Sequence, residues 1–172
     1  MTETSDHPTL SIVIPFFDER ENVDQLVEEI HRAMDFSPYA WEMVLVDDGS
    51  RDDTLRRMES ARALFGDHIR IVALRRNFGQ TAATQAGMDA ASGDLVATLD
   101  GDRQNDPGDI LPLARRLLDD GLDLVVGWRK NRRDGFVLRR LPSLLANRLI
   151  GRVTGVRLHD YGCSLKVYRL LF

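Results

Sequence analysis

The sequence has only one cysteine, Cys163, among its 172 residues, so no disulfide can form within the chain. Because disulfides persist in oxidising compartments and are rare in the cytosol, this scarcity favours a reducing, cytoplasmic setting. No apolar run approaches the roughly 20 residues that a membrane-spanning helix needs. Residues 1–9 are polar and acidic, whereas a secretory signal peptide is basic and then apolar. The four histidines lack metal-ligand spacing, and we expect them at the surface.

The composition is that of an ordinary globular protein, with 43% hydrophobic and 29% charged residues, which excludes a disordered or coiled-coil chain. The length predicts one domain. A net charge of -4 argues against a general nucleic-acid binder. The charge is uneven, however. Residues 129–157 hold nine basic residues and one acidic residue, and we call this stretch the basic segment. Residues 1–128 hold 12 basic and 25 acidic residues. Such a segment on an acidic protein is typical of a surface that binds an anionic partner.

Short apolar runs alternate with helical patterns along the chain. The runs are nearly continuous, as in buried parallel strands, and predict strands over residues 10–15, 41–47, 69–74, 94–99 and 123–127. Apolar residues at helical spacing predict helices over residues 21–34, 54–65, 80–91 and 110–118. The last helix is preceded by Asp106 and Pro107, a capping residue and a proline at the first helical position. This alternation predicts an α/β fold with a mostly parallel sheet flanked by helices.

Carboxylates follow three of the predicted strands. Glu19 comes after the first strand, Asp47 and Asp48 end the second, and Asp100 and Asp102 follow the fourth. Ligands of open α/β sheets bind beyond the carboxyl ends of the strands, so these groups should share one edge. Their mutual repulsion would be offset by a cation. Asp100 and Asp102 could hold a divalent ion that also takes diphosphate oxygens, because Mg²⁺ prefers few protein ligands together with phosphates.

Each motif taken alone also has a simpler structural interpretation. The DGD and DGS sequences are ordinary turns that lead into helices, and the NFG sequence could be a plain loop with glycine in a left-handed conformation. An EF-hand loop that starts at Asp100 is excluded, because Asn105 stands at its sixth position and Leu111 at its twelfth. The glycine motifs of P-loop and dinucleotide-binding proteins are also missing from the sequence.

Taken together, four motifs resemble those of family 2 glycosyltransferases of the GT-A fold. They are PFFDE at 15–19, VDDGSRDDT at 46–54, RNFGQTAATQAG at 76–87 and LDGDRQNDP at 99–107. The resemblance covers about residues 10–169. Within the family, RNFGQ, DRQNDP and DYGCSLKVYR (160–169) resemble the polyprenyl-phosphate glycosyltransferases. This branch includes dolichyl-phosphate mannose synthases and undecaprenyl-phosphate 4-deoxy-4-formamido-L-arabinose transferases.

The resemblance implies three overlapping sets of site residues. The nucleotide-sugar-binding set is Pro15, Phe17, Glu19, Val46, Asp48, Asn77, Gly101 and Gln104. The ligands of a Mg²⁺ or Mn²⁺ cofactor are Asp100, Asp102 and Gln104, and the catalytic set is Asp100, Asp102 and Arg129. The sequence departs from the family pattern where Phe17 replaces a tyrosine and Arg103 replaces a leucine.

The resemblance further implies that a sugar passes, with inversion, from a nucleotide-sugar, with UDP as the favoured nucleotide, to a polyprenyl phosphate. This acceptor would lie at the inner face of the cell membrane. In the basic segment, four leucines recur at helical spacing, which predicts an amphipathic helix at the bilayer interface. Basic side chains near it would attract anionic lipid: Arg133, Arg139 and Arg140.

Two alternatives remain at this point: a family 2 transferase with a soluble or polysaccharide acceptor, and a truncated, non-catalytic module that binds nucleotide-sugar. Members of the branch normally continue past the DYGC segment, often into membrane helices. We therefore expect residues 1–172 to be a single catalytic domain without that C-terminal membrane region. The expected partners are the donor and the lipid acceptor, with no nucleic acid and with a possible second copy of the chain.

Overall fold

The computed structural model describes residues 8–127 and 163–170. In this part, strands and helices alternate. The strands are β1 (Leu10–Phe16), β2 (Trp41–Asp47), β3 (Ile69–Ala73), β4 (Leu95–Thr98), β5 (Leu124–Val126) and β6 (Lys166–Arg169). The helices are α1 (Val23–Met34), α2 (Thr54–Phe65), α3 (Gln80–Ala90) and α4 (Ile110–Asp119), with a short 3-10 helix (Pro107–Asp109) before α4. The five predicted strands and four predicted helices are confirmed, with ends that differ by at most two residues.

The strands form one six-stranded sheet in the order β3-β2-β1-β4-β6-β5. Strand β1 pairs in parallel with β2 and β4, and β2 pairs in parallel with β3. Strand β6, which the sequence patterns did not predict, is antiparallel to both β4 and β5. The sheet is therefore mostly parallel, as predicted, but it is mixed.

Helices cover both faces of the sheet. On one face, α1, α2 and α4 bury the larger core, in which α1 supplies Val23, Leu26, Val27, Ile30 and Met34. On the other face, α3 packs over a smaller cluster that includes Val13, Val46 and Ala83. Gly87 lets α3 approach the sheet closely, because an added Cβ there would lie 2.4 Å from Val13 Cγ1. Residues 95–97 of β4 are almost fully buried, which explains their continuous apolar pattern.

The helix start predicted at Asp106 and Pro107 is confirmed. Asp106 Oδ1 accepts a hydrogen bond from the backbone N–H of Gly108 at 2.8 Å, and Pro107 occupies the first turn. The first turn is 3-10, and α4 continues from it. In residues 8–127 and 163–170, no helix is long and apolar enough to cross a membrane. Cys163 is buried.

The expectation that the histidines lie at the surface is wrong for His31 and His68. Both are half-buried, and their Nε2 atoms are 3.2 Å apart. The His31 ring stacks on Phe65 at 4.3 Å between centroids and meets Trp41 edge-on. Burial lowers the pKa of His31, the proximity of His68 lowers it further, and Asp35 partly opposes both effects. The contact between His31 and His68 joins α1 to the start of β3. It could not be predicted from the sequence, because the two residues are far apart in the chain.

Candidate active site

A cavity of about 320 Å³ opens at the carboxyl ends of β1, β2 and β4. This is the edge at which the predicted carboxylates were expected to meet, and the volume falls within the usual range of small-molecule sites. The cavity is lined by Pro15, Phe16, Phe17, Glu19, Asp48, Asn77, Gln80, Ala83, Asp100, Gly101 and Asp102. Four of these side chains are carboxylates, and none is a lysine or arginine. The described walls therefore repel an anionic ligand unless a cation accompanies it.

The loop after β4 carries two of the four carboxylates, Asp100 and Asp102. The side-chain amide of Gln80, at the start of α3, donates a hydrogen bond to Asp100 Oδ1. Gly101 lies against the buried ring of Phe16, where an added Cβ would be 2.5 Å from Cδ1. Asp102 is exposed, and its Oδ1 accepts the backbone N–H of Gln104 at 3.1 Å. The loop is thus pressed onto the end of β1, with both carboxylates at the cavity.

The two adjacent aspartates at the end of β2 have different surroundings. Asp48 lines the cavity and is 2% exposed, and its carboxylate accepts the backbone N–H groups of Phe78 and Gly79 at 2.8 and 2.9 Å. Asp47 instead accepts the backbone N–H of Ser50 at 3.2 Å. An ionised carboxylate has about four acceptor positions, so Asp48 keeps capacity for a ligand after these two bonds.

The loops after β1 and β2 are tied to each other. Asp18 has a positive φ of 54°, a conformation that aspartate tolerates better than most residues. Its backbone N–H donates to Ser50 Oγ at 3.0 Å, and its Oδ1 accepts the N–H of Arg51 at 2.7 Å. The backbone N–H of Glu19 donates to Thr54 Oγ1 at 2.9 Å. These bonds hold Phe17, which is 39% exposed, at the mouth of the cavity.

The structure brings most of the predicted site residues together. The members of the predicted sets that line the cavity are Pro15, Phe17, Glu19, Asp48, Asn77, Asp100, Gly101 and Asp102. Val46 lies outside it, fully buried in the small cluster below α3. Gln104 borders a separate groove beside α1, together with Glu29 and Arg32. The arginines at positions 129, 133, 139 and 140 lie outside the described residues.

Three cavity residues were not assigned from the sequence: Phe16, Gln80 and Ala83. Gln80 had a detectable signal, because it ends the RNFGQ motif and begins a helix that follows a strand. Phe16 and Ala83 form part of the wall through their position in the apolar core, and their residue types carry no such signal.

The donor set fits a divalent ion that is shared with a ligand. Within residues 8–127 and 163–170, no group of three or more His, Cys, Asp or Glu side chains is placed to hold a metal by itself. Asp100 and Asp102 offer carboxylate oxygens beside an open cavity, which suits Mg²⁺ or Mn²⁺ bound through few protein ligands and the oxygens of a phosphate.

Comparison with known proteins identifies the family to which the chain belongs. The family model described as "Glycosyl transferase family 2" matches residues 11–170. The chain belongs to glycosyltransferase family 2. Among the curated relatives of this family 2 glycosyltransferase, dodecaprenyl-phosphate galacturonate synthase of Rhizobium johnstonii is 58% identical over 160 residues, with 93% of this chain and 47% of the relative covered. Undecaprenyl-phosphate 4-deoxy-4-formamido-L-arabinose transferase of Pseudomonas fluorescens is 43% identical, with 93% and 46% covered. The chain thus spans about half the length of these relatives.

Solved structures show the same fold. Glucosyl-3-phosphoglycerate synthase from Mycobacterium tuberculosis, in complex with Mn²⁺, UDP and glucosyl-3-phosphoglycerate, has a TM-score of 0.70 at 22% identity, with 94% of this chain and 57% of that chain covered. A mannosyltransferase from Pyrobaculum calidifontis, in complex with GDP-Man and Mn²⁺, also has a TM-score of 0.70, at 17% identity, with 96% and 46% covered. This family 2 glycosyltransferase therefore has the GT-A-like α/β fold that its sequence predicts.

Proposed function

We propose that this chain is the donor-binding and catalytic part of a polyprenyl-phosphate glycosyltransferase. It takes a sugar from a nucleotide-sugar, with UDP as the favoured nucleotide, and transfers it to the phosphate of a polyprenyl lipid with inversion at the anomeric carbon. The observation that carries the proposal is the acidic cavity in which Asp48, Asp100 and Asp102 meet. The two curated relatives, whose names specify polyprenyl-phosphate acceptors, support the acceptor class.

The geometry suggests a role for each part of the cavity. Asp48 is fixed by two backbone amides, so its remaining acceptor positions are preorganised for a hydroxyl or N–H of the nucleoside. Phe17, at the mouth, offers an aromatic face on which a base can stack. Asp100 and Asp102 are the residues that would hold Mg²⁺ or Mn²⁺, which would neutralise the charge on the departing nucleoside diphosphate.

The acceptor needs little chemical activation. A phosphate monoester oxygen is already anionic at neutral pH, so the enzyme has to position it beside the anomeric carbon and need not remove a proton. This agrees with the residues at the described cavity, which include no histidine. Arg129 is proposed to bind phosphate near the donor, because a planar guanidinium can contact phosphate at two points.

The donor site can be tested by calorimetric titration of UDP with and without Mn²⁺. Replacing Asp102 with Asn should abolish the Mn²⁺-dependent part of UDP binding and leave thermal unfolding unchanged. Asp109→Asn is the matched control, since this exposed aspartate loses the same charge and does not line the cavity. Equal UDP affinity in the parent and Asp102→Asn would overturn the metal assignment. Binding without turnover of any UDP-sugar and polyprenyl phosphate would favour a module that only binds the donor.

The membrane contact rests on the basic segment and is tested separately. We expect the chain to sediment with vesicles that contain anionic lipid, and to do so less as salt is added, because screening weakens the attraction. Neutral vesicles provide the control. Replacing Arg139 and Arg140 with glutamine should reduce sedimentation. Absence of lipid-dependent sedimentation at low salt would contradict the proposed location at the inner face of the cell membrane.

A further inference from the structure

The backbone at Arg103, directly after the second carboxylate of the DGD sequence, has an unusual conformation. Its φ is +61°, in the left-handed region that residues with a Cβ rarely adopt. Such a conformation persists where surrounding contacts determine it, and it is frequent at ligand sites. The neighbouring contacts of Arg103 are therefore informative about the loop that carries Asp100 and Asp102.

The Arg103 guanidinium is bound to one face of α1. Its Nη2 is 2.5 Å from Glu29 Oε1, its Nε donates to Glu29 Oε2 at 3.4 Å, and its Nη1 donates to Gln25 Oε1. Gln25 and Glu29 are four residues apart and so lie next to each other on the helix. The side chains of Arg103 and Glu29 are only 34% and 30% exposed. A guanidinium that contacts a carboxylate at two points is fixed in orientation as well as in distance.

These contacts give the loop a second anchor point, in addition to the contact of Gly101 with Phe16. Gly101 is pressed on the ring of Phe16, and Arg103 is held by α1, so Asp102 lies between two fixed points. Asp102 itself forms only one hydrogen bond among the described contacts, from the backbone N–H of Gln104 within the same loop. The position of its carboxylate therefore depends on how its neighbours are held.

We propose that Arg103, Glu29 and Gln25 form a clamp that positions Asp102 for the divalent ion, with Arg103 as a positioning residue. The inference rests on the proposed function, in that Asp100 and Asp102 hold the ion. A leucine at position 103 could not make these polar contacts, so the departure from the family pattern at this position has a structural consequence. Groups that hydrogen-bond directly to metal ligands change metal affinity by about 10- to 100-fold when they are replaced. Arg103 acts on Asp102 through the loop backbone, so we expect an effect at the lower end of this range.

The test measures the Mn²⁺ concentration that gives half-maximal UDP binding, in the full chain. We expect it to rise roughly tenfold in Arg103→Gln and in Glu29→Gln, while UDP affinity without metal stays at the parent value. Arg103→Lys should be intermediate, because lysine keeps the charge and loses the two-point contact. The double variant should be no worse than either single variant, because the two residues act as one unit.

Arg57→Gln is the matched control: it breaks another ion pair to α1, the 2.7 Å pair with Asp24, away from the cavity. Thermal unfolding of each variant shows whether it is folded. If Arg103→Gln does not fold, Arg103→Lys takes its place in the comparison. Parental Mn²⁺ dependence in folded Arg103 and Glu29 variants would overturn the clamp and leave the proposed function in place. A parent chain whose UDP binding does not depend on Mn²⁺ would overturn the metal assignment at Asp100 and Asp102, and the clamp with it.

Discussion

Gly87 gives the sharpest test of how α3 is seated on the sheet. An alanine Cβ there would lie 2.4 Å from Val13 Cγ1 and 2.8 Å from Val46 Cγ2, and both valines are fully buried. Carbon atoms in good contact are about 3.5–4.0 Å apart, so the helix would have to move outward by about 1 Å. Overpacking of this kind costs about 1–3 kcal/mol. Alanine in place of a helical glycine gains only about 1 kcal/mol.

With two buried methyl groups in the way, the steric cost should exceed the gain. If the cost lies in the upper half of its range, about 2–3 kcal/mol, a gain of about 1 kcal/mol leaves a net loss. We therefore expect Gly87→Ala to lower the free energy of unfolding by about 1–2 kcal/mol in urea titrations. Ala82→Gly, at an exposed position of the same helix, is the control for helix propensity alone. Adding Val13→Ala should relieve part of the clash, giving a coupling of about 0.5 kcal/mol or more in the double-mutant cycle. A Gly87→Ala chain as stable as the parent would refute the close packing of α3.

Two further predictions concern pH and the donor site. Because the pKa of His31 is lowered in the folded chain by burial and by His68, the unfolded chain takes up its proton first as the pH falls. The free energy of unfolding should therefore keep its full value above pH 6.5, the ordinary pKa of histidine, and decrease as the pH falls below it. In His31→Gln, the midpoint of urea unfolding should vary less with pH in the range below 6.5. The second prediction concerns the donor site. Asp48→Ala should weaken Mn²⁺-dependent UDP binding by roughly tenfold, as expected for about one lost charged hydrogen bond. The UDP affinity of Asp47→Ala should stay near that of the parent. Equal losses in the two folded variants would contradict the different orientations of these aspartates.

Much of the fold could be predicted from the sequence, because buried parallel strands and amphipathic helices leave strong local patterns. The sequence pattern of strand β6 is weak, because the strand has only four residues and only Val167 among them is fully buried. Its place between β4 and β5 depends on pairing between distant parts of the chain, which no local pattern records. The mostly parallel α/β architecture was thus predictable, and the final strand order was not.

The candidate site was predictable where a side chain follows directly from the end of a strand, as Asp48 and Asp100 do. Val46 shows the limit of this rule. It precedes Asp48 by two residues, and strand alternation would place both on one side. Strand β2 ends at Asp47, however, so Val46 remains in the core below α3 while Asp48 reaches the cavity. The contacts of Arg103 with α1, and the place of Gln104 at the groove beside α1, depend on the loop conformation, which the sequence does not specify.

The position of β6 has a consequence for how the chain is made. As the protein emerges from the ribosome, β1 to β4 can pair with one another, but β5 has no neighbour in the sheet until β6 follows the whole basic segment. Until β6 is made, the unpaired edge of β4 can pair with strands of other chains. The longer the basic segment takes to be synthesised, the greater the chance of such aggregation. Synthesis that pauses within the basic segment would therefore favour aggregation, and chaperones that bind exposed strand edges would act at this stage.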